Sequence, residues 1–367
     1  MIKKVLFLYK TPRKQVYIDK KNGIGPDTIL YGANHLENFG FDLKIYDWAF
    51  SKFNPFLWMF YPVQFMAGKL TGIGFKLDQA VLLLPFMDKK TVVVSTMDTA
   101  GLPALFLKKL GFIKSPVIYI SIQLAQLIEK QPNKFPFNWY KSLLKYADAI
   151  ICYSDYEKNI LSTINKNTHF IPPGTDVGYY SAKGKLKLKK SAIPVILSFG
   201  WDINRDYETL LNAIRGNRVK GIIVTAQENV LGIKIPNNVK IYYNLPPSGL
   251  RKLIFESDII VIPIKKIKWP AGQLSTLDAL ACGKPVIVPE LPSLINTFTL
   301  KSNVNCLTYI PENSESLRQK IDILISDQAL SKRISQAGQK TAKKYSTEVF
   351  ANKLSDIISK FKVDEES

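Results

Sequence analysis

The stretch WPAGQLSTLDALACGKPVIVPE, residues 269–290, decides the fold. An apolar run ends just before it at Ile264, and a basic loop, KKIKWP, leads in. Ala-Gly-Gln-Leu-Ser-Thr then opens a helix, Cys282-Gly283 closes it, and Lys-Pro starts the next apolar run. Glycine just past a periodic segment is a helix stop signal. A continuous apolar run on either side of a helix predicts parallel strands buried on both faces.

The same alternation extends outward in both directions. Toward the amino terminus lie strand-like runs at 194–200, 219–226, 239–244 and 258–264, and 284–290 follows. Helical patterns are expected at 206–216, 247–256, 273–282, 313–326, 328–344 and 346–361. The first half repeats the scheme, with strands at 4–9, 42–47, 91–96, 116–121, 148–154 and 168–173. Helices are expected there at 27–38, 100–110, 136–147 and 155–163. Between the halves, SAKGKLKLKKSA (181–192) holds five lysines and little apolar content, the composition of an exposed connector. The pattern predicts an α/β chain with two doubly wound domains, and ligands of such sheets bind outside the carboxyl ends of the strands.

The 367 residues fit two domains, each large enough for its own core. No apolar stretch reaches the ~18 residues of a membrane span. The start, MIKKVLFLYK, has an apolar run too short for a signal peptide and reads as a strand. Cys152, Cys282 and Cys306 are odd in number and lack CxxC spacing, so free thiols in a cytoplasmic protein are expected. The net charge is +20. Residues 1–190 hold 27 basic and 13 acidic residues, which points the first half at an anionic partner. No RRM, zinc or helix-turn-helix signature accompanies the charge, so nucleic acid is not the expected partner.

Three segments carry candidate chemistry. Gly23 and Gly25 precede Pro26 and the helix expected from Asp27, an arrangement that turns backbone amides toward an anion. In SFGWDINRDYETLL (198–211) a strand ends at Gly200, and Arg205 stands where the loop meets the next helix. A guanidinium there can hold a diphosphate in bidentate geometry. In 269–290, Ala271, Gly272, Ser275 and Thr276 are small enough for close approach to the helix start, whose backbone N–H groups and dipole favour a phosphate. Asp278 lies one turn further in, placed to accept ribose hydroxyls. In the first half, Asp98 follows a strand in STMDTAGLP and is a candidate acceptor ligand or base, or else a helix cap.

These motifs resemble glycosyltransferase family 4. ADAIICYSDYEKNIL with FIPPGTDVGYY (147–180), LSFGWDINRDYETLL and AGQLSTLDALACGKPVIV carry the resemblance, and the helical tail from Leu307 to Phe361 follows the same pattern. The resemblance implies a GT-B fold, in which two Rossmann-like domains face each other across a cleft. The expected division is 1–180 for the acceptor, the linker 181–192, 193–345 for the nucleotide sugar, and a final helix within 346–367 returning to the first domain. It implies retaining transfer from a nucleotide diphosphate sugar, with no cofactor and no essential metal; the sequence has no Asp-x-Asp. The catalytic candidates are Arg205 and Asp98, and the substrate-binding ones are Gly23, Gly25, Gly200, Gly272, Gln273, Leu274, Ser275, Thr276 and Asp278. The sequence departs from the family in several places. Pro270 stands in place of the first of two spaced glutamates and Asp278 in place of the second, and Trp201 replaces an arginine after the strand glycine. YISIQLAQ (119–126) has no histidine where related enzymes often place one near the reaction centre, leaving Ser121 or Gln123 as the substitutes or an altered active site.

One cluster has no counterpart in that pattern. Between Trp48 and Phe65 lie eight aromatics, namely Trp48, Phe50, Phe53, Phe56, Trp58, Phe60, Tyr61 and Phe65, with Lys52 and Lys69 nearby. Aromatics edged by lysine suit the bilayer interface, and they suit a well-buried helix pair of the first domain equally well. The sequence therefore reads as a cytoplasmic glycosyltransferase, peripheral on the inner face of the membrane, with a lipid-linked or other anionic glycan acceptor. The alternatives are a GT-B nucleotide-sugar epimerase and a non-enzymatic basic nucleic-acid-binding or partner protein.

Overall fold

The structure is a computed structural model that describes residues 3–47, 55–181 and 191–361; the side chains of 55–57 are outside the description. The chain divides into two compact units. Met1–Lys21, Ile29–Pro172 and Glu348–Ser367 form the first, and Asn22–Thr28 and Pro173–Thr347 the second. Most of the lysine-rich linker, 182–190, lies outside the described residues.

The first unit runs β1 (Lys4–Leu8), α1 (Lys14–Lys21), β2 (Asp42–Lys44), α2 (Pro55–Thr71), α3 (Leu77–Leu82), β3 (Thr91–Ser95), α4 (Asp98–Lys109), β4 (Val117–Ile120), α5 (Leu124–Lys130), α6 (Phe137–Leu143), β5 (Ala149–Cys152), α7 (Asp155–Leu161) and β6 (Thr168–Phe170). Its sheet is parallel in the order β2-β1-β3-β4-β5-β6. Strand alternation sorts the core onto two faces. Leu6, Leu8, Val93 and Tyr119 pack with Leu105, Leu124 and Tyr140 on one side, and Val5, Phe7, Val92 and Val94 face the other. At the start of α7 the Ser154 hydroxyl accepts from the Glu157 amide, while the Glu157 carboxylate accepts from Tyr153 N at 3.0 Å. This Ser-x-x-Glu pair satisfies amides at the buried helix start, and burial pushes the Glu157 carboxyl up to about 8.

The helix expected at 27–38 is absent. Thr28–Leu30 and Ala33–Phe39 are short 3₁₀ turns, separated by Tyr31 and Gly32 with φ of 54° and 76°. Left-handed backbone at two successive residues ends any α-helix. The structure adds α1, α2, α3 and α5, which the strand-by-strand reading left unassigned.

The second unit runs α8 (Val177–Ser181), β7 (Val195–Phe199), α9 (Tyr207–Ile214), β8 (Lys220–Val224), β9 (Val239–Tyr242), α10 (Pro247–Glu256), β10 (Ile259–Val261), α11 (Gln273–Ala281), β11 (Val286–Pro289), α12 (Pro292–Ile295), β12 (Leu307–Tyr309), α13 (Ser314–Ser326) and α14 (Gln328–Lys343). Its parallel sheet has the order β12-β11-β10-β7-β8-β9. The chain grows outward from β7 in one direction, then from β10 in the other. The winding therefore reverses between β7 and β10, where loops diverge to opposite faces and leave a crevice. The last helix, α15 (Thr347–Ile358), contributes Phe350, Ala351, Leu354 and Ile358 to the second core face of the first unit. Gly32 permits that packing, because a Cβ there would sit 3.0 Å from the Ala351 Cβ.

A buried acid ties the start of the second unit to α11. The Asp278 Oδ1 accepts from the Thr175 hydroxyl, and Tyr180 also bonds this carboxylate. Thr175 in turn receives its own support from the chain end, with Thr175 N donating to Tyr345 O at 2.9 Å and Thr347 N to Thr175 O at 3.0 Å. Asp278 is 7% exposed, and burial pushes its carboxyl up to about 7, against hydrogen bonds that pull it down. The folded protein therefore keeps this proton to about pH 7, while the unfolded chain loses it near pH 4. The folded state binds more protons across that window, so the acid's contribution to stability is complete below about pH 4 and is lost as pH rises to 7. The thermal midpoint of wild type should fall more steeply from pH 4 to 7 than that of Asp278→Asn, by several degrees in all. Parallel pH–Tm curves for the two proteins would show that this acid does not carry the effect.

Candidate active site

The reversal point between β7 and β10 gathers the residues with the most specific chemistry. β7 ends at Phe199, and Gly200 takes φ 148°. Its carbonyl accepts from the hydroxyls of Tyr207 at 3.0 Å and Thr225 at 2.7 Å, and its amide donates to Val224 O. The following loop folds back on the stretch beyond β10. Asp206 N donates to Pro263 O, Lys265 N donates to Asn204 O, and Arg205 bridges to Ile264. Asp206 then caps α9 by accepting from Thr209 N at 3.1 Å.

These contacts lay the Arg205 side chain over Gly200. A Cβ at Gly200 would fall 2.0 Å from Arg205 Nη2 and 2.2 Å from its Cζ, so only glycine admits the guanidinium. Arg205 is 5% exposed. Its Nη2 donates to Ser275 Oγ at 2.7 Å, and its Nε lies 4.0 Å from Asp202 Oδ2. Neither Nε nor Nη1 has a hydrogen-bond partner. A buried guanidinium with donors unmatched costs about 1–3 kcal/mol or more, and an anion arriving there removes that cost.

Ser275 places this cation at the start of α11. Gly272 caps the helix at φ 68° with no side-chain acceptor, and its Cβ would lie 2.9 Å from Ile262 and Ile264. The amide of Thr276 is the first to bond within the helix, to Gly272 O. A nine-residue helix beginning this way offers its early amides and positive dipole end to an anion. Gly200, Arg205, Gly272 and Ser275 thus converge, with Gln273 and Leu274 on the same first turn. Thr276 is corrected: it is fully buried, and its hydroxyl is turned to Gly272 O at 2.8 Å. Asp278 is enclosed by Thr175 and Tyr180 and does not open outward. Trp201 is 47% exposed beside Gly200, and Pro270 is half-buried.

The first-unit candidates fare differently. Asp98 neither caps α4, whose N-cap is Met97, nor presents a free carboxylate. It is 4% exposed; Oδ1 accepts from the Tyr119 hydroxyl and from Ile122 N at 3.3 Å, and Oδ2 from Gln123 N at 2.7 Å. Burial raises its pKa. Its work is to fix the turn after β4, and both oxygens are occupied doing so, which corrects its assignment as acceptor ligand or base. Gly23 and Gly25 also lack the expected setting, since no α-helix follows them. The amide of Asp27, at the start of the short turn, donates to Asp176 Oδ2 at 3.0 Å, and its carboxylate accepts from Thr347. Sequence reading missed Thr175, Tyr180, Tyr119 and Asp176 as partners, because each meets its acid only through tertiary packing. Cys152, Cys282 and Cys306 are buried free thiols. Among the described residues no His, Cys, Asp or Glu group is arranged to hold a metal ion.

Residues 224–341 match the family model described as Glycosyl transferases group 1. No curated protein matches the chain by sequence. Among solved structures, Anabaena Alr3699/HepE in complex with UDP-glucose aligns with TM-score 0.67 at 14% identity, covering 97% of this chain and 99% of that one. Sucrose-phosphate synthase from Thermosynechococcus elongatus aligns with TM-score 0.69 at 15% identity, covering 97% and 98%. A glycosyltransferase from Rickettsia africae aligns with TM-score 0.65 at 16% identity, covering 99% of each chain. The chain thus has the GT-B fold of two parallel α/β units and carries, across residues 224–341, a glycosyltransferase domain.

Proposed function

We propose that this protein transfers a sugar from a nucleotide diphosphate sugar, with retention, to a lipid-linked or other anionic glycan acceptor at the cytoplasmic face of a membrane. The single observation that carries the donor side is the buried Arg205 guanidinium, with two unmatched donors, at the start of α11. When the bond between the sugar's anomeric carbon and the β-phosphate oxygen breaks, negative charge grows on the diphosphate. Arg205 and the α11 amides are fixed in place before that charge develops, which is how preorganised donors lower a barrier. The acceptor hydroxyl supplies the oxygen of the new glycosidic bond and gives up its proton to the departing diphosphate oxygen. UDP is the first nucleotide to try, because Anabaena Alr3699/HepE is described with UDP-glucose. On this reading Asp278 takes the ribose hydroxyls by exchanging the Thr175 donor for them. Retention rests on the resemblance to glycosyltransferase family 4, and the acceptor class on the net charge of the first half.

Calorimetry with UDP, GDP and dTDP checks the donor side. A nucleotide at 100 times its Kd stabilises the fold by about 2.7 kcal/mol, so the cognate base stands out in a thermal-shift screen. Arg205→Ala should weaken that nucleotide roughly tenfold to a hundredfold, the value of charged hydrogen bonds of about 1.5–3 kcal/mol. Gly200→Ala should reproduce the loss, because its Cβ occupies the space of the guanidinium. Unchanged affinity in both variants would remove Arg205 from the site.

Retention is read from the product. Proton NMR of the transferred sugar should show the anomeric configuration of the donor. An inverted anomer would exclude the retaining assignment while leaving the binding site intact.

A further inference from the structure

We infer that α2 is an interfacial anchor that lies along an anionic lipid bilayer with its outer face immersed among the headgroups. The inference rests on the membrane-face reading above and names the surface that carries it. Trp48, Phe50 and Phe53 of the sequence cluster lie outside the described residues, as does the side chain of Phe56. The remainder of the cluster falls on α2, and it is not core. Trp58 is 80% exposed, and Met59, Tyr61, Val63, Phe65, Met66 and Leu70 are exposed with it.

At 100° per residue these positions sweep an arc of roughly 200°. Lys69 is the sole charged residue within it, near the arc's centre and one turn from Phe65. The opposite side is the one packed on protein: Ala67 touches the core, and Gln64 Nε2 donates to Asp78 Oδ1 at 2.6 Å. An outward face that is apolar over half the helix circumference is far from the polar face of an ordinary surface helix. No described helix is long and apolar enough to cross a membrane, so this one lies on a bilayer rather than through it.

Charge selects the occupant. Between residues 55 and 147 the first unit carries eight exposed lysines, among them Lys69, Lys89, Lys90, Lys114 and Lys134. The same span has four acids, and two of them, Asp78 and Asp98, are buried. Exposed Phe112 and Phe135 stand within two residues of Lys114 and Lys134, repeating the pairing of apolar tip and cation. A unit charged this way attracts anionic headgroups, and the apolar face of α2 holds by insertion; salt screens only the first.

Sedimentation with vesicles of one part phosphatidylglycerol to two parts phosphatidylcholine tests this on the full chain. Wild type should pellet at low salt and in part at 0.5 M salt, and its tryptophan emission should shift to the blue. Trp58→Phe should lose most of that shift. The triple variant Trp58→Ser, Phe65→Ser, Met66→Ser should lose the salt-resistant fraction at least tenfold. All three positions are exposed, so the fold should survive, and unchanged nucleotide affinity in the same preparation shows that it has. Wild type remaining in the supernatant at low salt would overturn the anchor, as would a triple variant that pellets like wild type at high salt. A dimer that the triple variant converts to monomer, without lipid binding, would assign the face to a second copy of the chain. Nucleotide binding without vesicle binding would sink the anchor alone, whereas vesicle binding without nucleotide binding would sink the donor assignment alone.

Discussion

The guanidinium of Arg205 lies where a side chain of residue 200 would otherwise be. That close approach organises the candidate site. It requires glycine at the end of β7, a loop that returns to the stretch after β10, and a serine on the first turn of α11 to receive one donor. The winding of the sheet brings the three segments together, because β7 and β10 are neighbours although some sixty residues separate them. A cation held in this way loses little freedom when it meets a phosphate, and its unmatched donors already favour that meeting.

Buried carboxylates show a second constraint at work. Asp98 and Asp278 are each enclosed, and each serves a neighbour: Asp98 fixes the turn after β4, and Asp278 holds the segment around Thr175. Their partners are hydroxyls and amides rather than cations, so hydrogen bonds offset the cost of burial only in part. Asp98 stands at a helix start after β3 and Asp278 more than a turn into α11, where an exposed carboxylate would have served a ligand. Enclosure gives Asp98 a structural duty and leaves Asp278 reaching a ligand only by giving up a partner.

The two units divide the chemistry between them. The second carries the glycosyltransferase domain and the Arg205–α11 arrangement proposed as the donor site. The first presents exposed lysines and an outward apolar helix. The proposed lipid-linked acceptor would draw on both units, one to bind the donor and one to stay where the acceptor is.

Much of this was legible in the sequence. Strands buried on both faces must be continuously apolar, so the runs at 91–96, 116–121, 194–200 and 284–290 announced a parallel α/β chain. Gly200, Arg205 and the start of α11 could be singled out because a strand end, a glycine and a helix start are local features. The tertiary structure alone decided which groups face a ligand. Thr175 lies 103 residues from Asp278 and Tyr119 lies 21 from Asp98, and no local pattern shows that their hydroxyls close over those acids. The same holds for α2, whose aromatics suit a core and a membrane equally well by composition. Burial is a property of the neighbours a residue acquires on folding, and α2 acquires them on one side only.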